Sequence, residues 1–541
     1  MGVPFWKSLA SALTSNDSKI TPLVDPDSQT RELPDGSRIC KHLESDELKR
    51  HRHEDATTLY EVVKRGARVS GNGPMLGQRI KQSNGEEPFV WIRYNEVLDR
   101  SETVARAFRK LGQPAGQETF IGIYSKNRPE WIIVEQATYA FNNVLVPLYD
   151  TLGIDASAFI INQAGIQLVV CDTAKKVSGL LEKKNACPSL KHIILIETQI
   201  SEGLKEQAML NRLFDKVMAE VNKSWVKQLL FNAAIALKTH EIDSWIVRNN
   251  SWVDQYIFKA IRDGFGGRVK LMITGSAPVS DQVLTFVRCA LGCFVIEGYG
   301  QTECVAACTV TIEGDAVPGH VGVPSPCNYI KLVDVPELNY FAKDQAGEVC
   351  VKGFNVFRGY YKNEEQTKLV LNSDGWLHTG DIGRWTERGT LKIVDRKKHI
   401  FKLAQGEYIA PEKIENVYLR SRYVAQCFVY GESLKGCLVG IVVPDAEVIR
   451  VSAMSELGIE GKATIEELCN KSEVKKLIME DIISTGKNAG LASFEQVKDI
   501  FLCAEMFTVQ NDLLTPTLKT KRPKLKEHFQ KQLDQMYEHL Y

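Results

Sequence analysis

The chain has 541 residues, 44% of them hydrophobic and 25% charged, which is enough apolar material for several buried cores. Lys+Arg and Asp+Glu both number 67, and this zero balance argues against a nucleic-acid protein working through a basic excess. Thirteen cysteines without CxxC spacing, and no signal peptide, read as reduced thiols in a cytosol-facing protein.

The first stretch, "MGVPFWKSLASALTSNDS", is too short and polar for a signal or membrane helix. Gly2 suggests myristoylation, but Trp6 stands where that motif needs Ser or Thr. No apolar run reaches bilayer length, so any membrane contact is expected to be peripheral. Residues 1–55 read as an extension, and residues up to about 90 as loops and short polar helices. "HRHE" at His51 lacks the HExxH register and reads as a solvated loop. "SGNGPMLGQR" from Ser70 has its third glycine one place too late for GxGxxG and reads as a loop.

From Tyr94 the spacing predicts a helix with Val97, Val104, Ala107 and Phe108 on one face. Short β-branched runs then alternate with helical stretches through "FIGIYS", "RPEWIIVEQATYAF", "NVLVPLYDT" and "LVVCDT", ending at "KHIILIE". That alternation predicts a parallel sheet with crossover helices. Residues 209–265 read as helices. The alternation returns at "RVKLMITGS" and "FVIEGYG", and from about Asn328 gives way to a small β-rich module. Asp395–Arg396 is the expected boundary between a domain spanning 56–395 and a C-terminal α+β unit at 396–541. Pro411 opens a helix in that unit.

Four stretches carry candidate chemistry. "FVIEGYGQTE" ends a strand in a turn, where open α/β sheets place ligands. There Tyr299 could stack on a base, Thr302 bond a phosphate, and Glu303 hold Mg²⁺, a hard cation that prefers oxygen. An ordinary strand-turn explains the same pattern. "LMITGSAP" gives a small-residue turn at Gly275, Ser276 and Ala277, without the GxSxG elbow of a hydrolase. In "DGWLHTGDIGRWTERGTLKIVDRKK", Asp381 sits in a Gly-bounded turn suited to ribose hydroxyls, and Arg396 adds a fork of donors. Lys519, in "LLTPTLKTKRPKL", suits a phosphoryl or carboxylate oxygen gaining charge. Most lysines simply face water, and this basic run could instead lie on an anionic membrane. "CVAAC" (Cys304–Cys308) lacks a second ligand pair and reads as buried small residues rather than a zinc site.

In this order the motifs resemble the adenylate-forming enzymes, specifically eukaryotic long-chain fatty-acid–CoA ligases. The resemblance runs from about Thr57 to the end, and its most specific part is Asp374–Lys398. It implies a large AMP-binding domain with parallel-rich sheets and a β-rich module, followed by a small mobile α+β domain. Gly275, Ser276 and Tyr299 would lie around the adenine, and Ala277, Gly300 and Gln301 would also bind the nucleotide. Thr302 and Glu303 would meet the α-phosphate and Mg²⁺, Asp381 and Arg396 the ribose, and Lys519 the reacting carboxylate and α-phosphate. Asp395 to Lys398 would form the hinge. The implied substrates are a long-chain fatty acid, ATP and CoA. The implied location is the endoplasmic reticulum or mitochondrial outer membrane.

One family feature is missing. Relatives carry a "TSGTTGxPKG" loop, whose backbone amides and lysine cradle phosphates, between the equivalents of "KHIILIE" and "LNRLFDK". No such loop occurs in this sequence, and the join falls near Ile200–Met209. Two readings follow: a shortened ligase, or a catalytically impaired binding or regulatory chain that retains adenylate or CoA affinity or pairs with a full-length subunit.

Overall fold

The computed structural model describes residues 21–82, 85–149, 153–196, 217, 221, 224–275, 281–405, 407–432, 435–459, 463–515 and 519–540. The chain divides into two compact units, one of residues 1–48, 205–508 and 520–541, the other of 49–204 and 509–519.

The smaller unit is built on a four-stranded parallel sheet. Its strands lie in the order Val144–Pro147, Phe120–Tyr124, Leu168–Cys171, His192–Leu195. The helices Pro129–Ala140, Gly153–Ala164 and Ala174–Glu182 make the crossovers. Leu168–Cys171 is apolar and buried at every position, as a strand covered on both faces must be. The helix at Tyr94–Lys110 forms as its periodicity predicts, but it buries Val97, Ser101, Ala105 and Phe108. Ala107 faces solvent, because the buried stripe runs in steps of four from Val97 through Ser101 to Ala105 and then of three to Phe108. Pro74–Arg79 is not a loop. It pairs antiparallel with Phe89–Arg93, and Gly77 admits the ring of Trp91 where a side chain would collide with it.

The larger unit holds three sheets that concern the site. Leu271–Thr274 and Phe294–Tyr299 run parallel, joined by the helix Asp281–Leu291, and the short strands Thr309–Val310 and Val323–Pro324 extend the sheet antiparallel. A six-stranded antiparallel sheet is ordered Thr30–Glu32, Arg38–Cys40, Asn328–Val333, Ala346–Gly353, Leu377–Trp385, Leu391–Arg396. Its first two strands come from the stretch read as an extension, with Arg38 registered against Ile330. Short alternating runs such as "TRE" and "RIC" are too brief to register as strands in sequence.

After Arg396, Val424–Tyr430, Leu438–Pro444 and Val497–Leu502 form a three-stranded sheet. The helices Pro411–Tyr418 and Ser472–Asn488 share its core, with Ile414, Tyr418, Val442, Ile478 and Ile500 fully buried. Pro411 takes the first helical position, where its missing N–H costs nothing. Among the described residues, 224–265 contain helices at Trp225–Asp243, Trp252–Tyr256 and Lys259–Gly264 and no strand. No helix among the described residues is long and apolar enough to cross a membrane.

Candidate active site

Phe294–Tyr299 ends in a turn closed by its own backbone and thiols. Gly300 and Gln301 lead into one 3₁₀ turn at Thr302–Cys304, and Val305 and Ala306 then adopt left-handed conformations (φ 53° and 77°). A Cβ at Gly300 would sit on the Ala306 carbonyl, so only glycine allows the chain to fold back this closely. Cys304 Sγ accepts from the Gln301 N–H at 3.3 Å, and the Cys308 N–H donates to the Tyr299 carbonyl at 2.9 Å. Both thiols are fully buried. The hydrogen bond from Cys308 lowers the Cys304 thiol, whereas that bond and burial push Cys308 up. "CVAAC" is thus a structural clasp for the turn that carries Thr302 and Glu303.

Asp381 arrives from the six-stranded sheet. It lies in Leu377–Trp385 directly opposite Arg396 in Leu391–Arg396. Gly380 takes φ +73°, which supplies the sharp turn before it. The Thr379 hydroxyl donates to the Val349 carbonyl at 2.8 Å and accepts from the Asp381 N–H at 3.2 Å. The Tyr299 hydroxyl donates to Asp381 Oδ2 at 2.7 Å, and Arg396 Nε stands 3.8 Å from Oδ1. Burial, and then the Asp381 charge, push the Tyr299 phenol well above its ordinary range, so it remains a donor. Two segments 82 residues apart in sequence therefore present one phenol, one carboxylate and one guanidinium together. Such a set suits a ligand with neighbouring hydroxyls beside a planar ring.

Glu303, four residues after Tyr299, supplies a hard oxygen donor in the turn itself. Its Oε1 accepts from the Tyr360 hydroxyl at 2.7 Å, and its carbonyl accepts from the Phe357 N–H at 2.8 Å. Phe357 and Tyr360 pack edge to face with centroids 5.0 Å apart. Burial and Glu303 raise the Tyr360 phenol to about 12. Sequence reasoning passed over Tyr360; the signal was the Gly-containing aromatic run "FNVFRGYY". It also passed over Glu348, whose carboxylate backs the Gly380 turn.

Gly275 closes the neighbouring strand, and a Cβ there would stand 3.1 Å from the Gly298 carbonyl. Ser276 and Ala277 lie outside the described residues, as does the join at Ile200–Met209. Asp395 is buried, accepting from the Arg396 N–H at 2.6 Å and the Glu412 N–H at 2.9 Å. Burial and the Glu412 charge raise its carboxyl to about 8. His399 Nδ1 and Glu412 Oε1 are 2.7 Å apart. Lys398 is exposed in the turn that follows. Lys519 belongs to the smaller unit; its N–H donates to Thr515 Oγ1 at 2.9 Å and its carbonyl accepts from the Thr515 N–H at 2.7 Å.

The family model "AMP-binding enzyme" matches residues 79–231 and 208–361. Long-chain-fatty-acid–CoA ligase 1 of Cavia porcellus is 41% identical, across 93% of this chain and 90% of that one. Long-chain-fatty-acid–CoA ligase 5 of Rattus norvegicus is 40% identical, across 97% and 95%. The first of these alignments has 635 positions, whereas 93% of this chain is about 500 residues, so the relative has on the order of 130 residues that this chain lacks. Among solved structures, the adenylation domain of a carboxylate reductase from Mycobacterium chelonae superposes with a TM-score of 0.65 at 23% identity, covering 89% of this chain and 91% of that one. A carboxylic acid reductase A domain from Segniliparus rugosus, in complex with AMP and a co-purified carboxylic acid, also scores 0.65, at 20% identity and 91% and 95% coverage. At these identities the likeness establishes the fold.

Proposed function

The chain belongs to the AMP-binding enzymes, among the long-chain-fatty-acid–CoA ligases, and from that premise we propose that it works on the adenylate of a long-chain fatty acid. The observation that carries this reading is the Tyr299 hydroxyl on Asp381, with Arg396 opposite. In the full reaction a carboxylate oxygen of the fatty acid attacks the α-phosphorus of ATP, forming a P–O bond as the bond to pyrophosphate breaks. The CoA thiol, losing its proton, then attacks the acyl carbon, and AMP leaves.

In this reading Asp381 accepts from the ribose hydroxyls, Arg396 adds donors, and Tyr299 flanks the adenine with Gly275, Ser276, Ala277, Gly300 and Gln301. Thr302 donates to the α-phosphate, and Lys519 offsets the charge that builds there. Glu303 offers a carboxylate oxygen of the kind Mg²⁺ prefers, and a bound Mg²⁺ would neutralise phosphate charge. Asp395 to Lys398 form the hinge of a mobile C-terminal domain (396–541), and the fatty acid reaches the chain at a membrane surface of the endoplasmic reticulum or mitochondrion.

The missing phosphate loop bears on the first half-reaction. Charge on departing pyrophosphate loses preorganised donors, so ATP–pyrophosphate exchange with palmitate should fall far below that of a full-length relative. Exchange at the relative's rate would show that another segment replaces the loop.

A second reading has its own support: the AMP-side residues are present while the pyrophosphate-side loop is not. On it the chain binds adenylate or CoA, or regulates a full-length subunit by pairing with it. Calorimetry separates the cases. AMP should bind, and ATP should gain little from its extra phosphates; a much tighter ATP complex would overturn the regulatory reading.

A further inference from the structure

Behind the ribose turn lies a carboxylate that no motif accounts for. Glu348 stands on Ala346–Gly353 between buried apolar neighbours, and its residue surface is 8% exposed. Opposite it the pairing slips: Val349 alone faces Thr379, Gly380 and Asp381, so the irregularity lies in Leu377–Trp385, and such irregularities re-aim a side chain. Here the carboxylate meets the turn Thr379–Gly380. Its Oε1 accepts from the Gly380 N–H at 3.2 Å, while its Oε2 lies 3.4 Å from Lys397 Nζ and 3.5 Å from His378 Nδ1. The Lys397 N–H in turn donates to the Gly380 carbonyl at 2.8 Å. Gly380 is thus held on both sides, by Glu348 at its N–H and by Lys397 at its carbonyl.

We propose that Glu348 is a positioning residue for nucleotide binding, fixing the Gly380 turn and the Lys397 ammonium so that Asp381 and Arg396 face the two ribose hydroxyls. The inference rests on the adenylate reading above. A carboxylate removed from water is costly unless its partners repay it, and an apolar residue would serve the strand as well if packing were its whole purpose. Its partners are directional. Asp381 follows Gly380 by one residue and Arg396 precedes Lys397 by one, so both ends of the ribose pair are one peptide from a group that Glu348 holds. Lys397 also meets Glu337 at 3.3 Å, which leaves its ammonium between two carboxylates.

The test uses the full chain and two ligands, AMP and 2′,3′-dideoxy-AMP, with affinities measured by calorimetry. In Glu348→Gln, AMP should bind on the order of tenfold more weakly, as expected for one lost hydrogen bond to a charged group. The dideoxy compound, which has no ribose hydroxyls, should bind as it does to the unaltered chain. Hydrogen exchange in the peptide covering Leu377–Gly383 should also quicken. Equal losses for both ligands, or an unchanged AMP affinity, would overturn the inference. If the glutamine variant does not fold, Lys397→Gln probes the same link while keeping the buried carboxylate. A loss confined to AMP supports the proposal, and no loss overturns it. Failure of the unaltered chain to bind AMP would instead sink the adenylate reading and this inference with it, whereas variants that keep the parent's AMP preference would remove Glu348 alone.

Discussion

Asp381 has its direction set before any nucleotide arrives, because the Tyr299 phenol takes one oxygen and Arg396 stands by the other. Lys519 is a different kind of residue, one whose expected effect lies in a developing charge. Lys519→Ala should cut residual adenylation by on the order of a hundredfold, the scale of losing one oxyanion donor. It should leave thioester formation from supplied acyl-adenylate and CoA nearly unchanged; equal losses in both steps would assign the lysine a structural part. Asp395 gives a pH-dependent case. Its carboxyl is raised from the ordinary 3.8 to about 8, by burial first and Glu412 second, with Arg522 opposing. A raised value means that the folded state favours the protonated form. Its stabilisation is complete below about pH 3.8 and is lost as pH rises through about 8. Glu412→Gln removes the second cause, so the melting temperature should fall less between pH 7 and 9 than in the parent. A parallel decline in both proteins would argue against the coupling. At this scale Asp381 and Arg396 were legible as candidates from their acceptor and donor chemistry, whereas Tyr299 was read as a ring to stack on a base and its bond to Asp381 emerges only once the two segments are placed. Glu348 and Tyr360 were not, since a lone Glu on an apolar strand and a Tyr in an aromatic run look like ordinary structure until their partners are placed.

Parallel strands are normally buried on both faces, which makes Leu271–Thr274 an unusual element. Among the described residues it is the edge of its sheet, and Leu271 and Ile273, two residues apart on one face, are 50% and 73% exposed. His192–Leu195 is likewise the edge of its own sheet, with Leu195 40% exposed. An apolar edge with unpaired backbone groups is a site for aggregation. Ile273→Lys should therefore raise the concentration at which the purified chain stays monodisperse in light scattering, with no loss of melting temperature. A lower melting temperature would show that Ile273 is covered in solution. The helix Tyr94–Lys110 could be read from its period, and the strand Leu168–Cys171 from an unbroken apolar run set between helical stretches. Pro74–Arg79 was hidden by its glycine, which serves the ring of Trp91 rather than a turn. The strands at Thr30–Glu32 and Arg38–Cys40 are three residues each, below the length at which alternation carries information.

For the whole molecule, the two sheets differ in how far apart their strands lie along the chain. The four parallel strands of the smaller unit fall between Phe120 and Leu195. The six-stranded sheet that positions Asp381 and Arg396 takes two strands from Thr30–Cys40 and four from Asn328–Arg396. That spacing sets an order of events during synthesis. At about 5–20 residues per second, Arg38 leaves the ribosome some tens of seconds before its partner Ile330 exists. Ribosome-bound chains halted after residue 260 should resist light proteolysis across 120–195 and be cut freely between 30 and 48. Protection of 30–48 should appear only in chains halted well beyond Arg396; earlier protection would mean that some other contact shelters those strands. The surroundings of Asp381 are thus completed only after Arg396 has emerged, and until then two short strands near the start of the chain must be kept from pairing elsewhere.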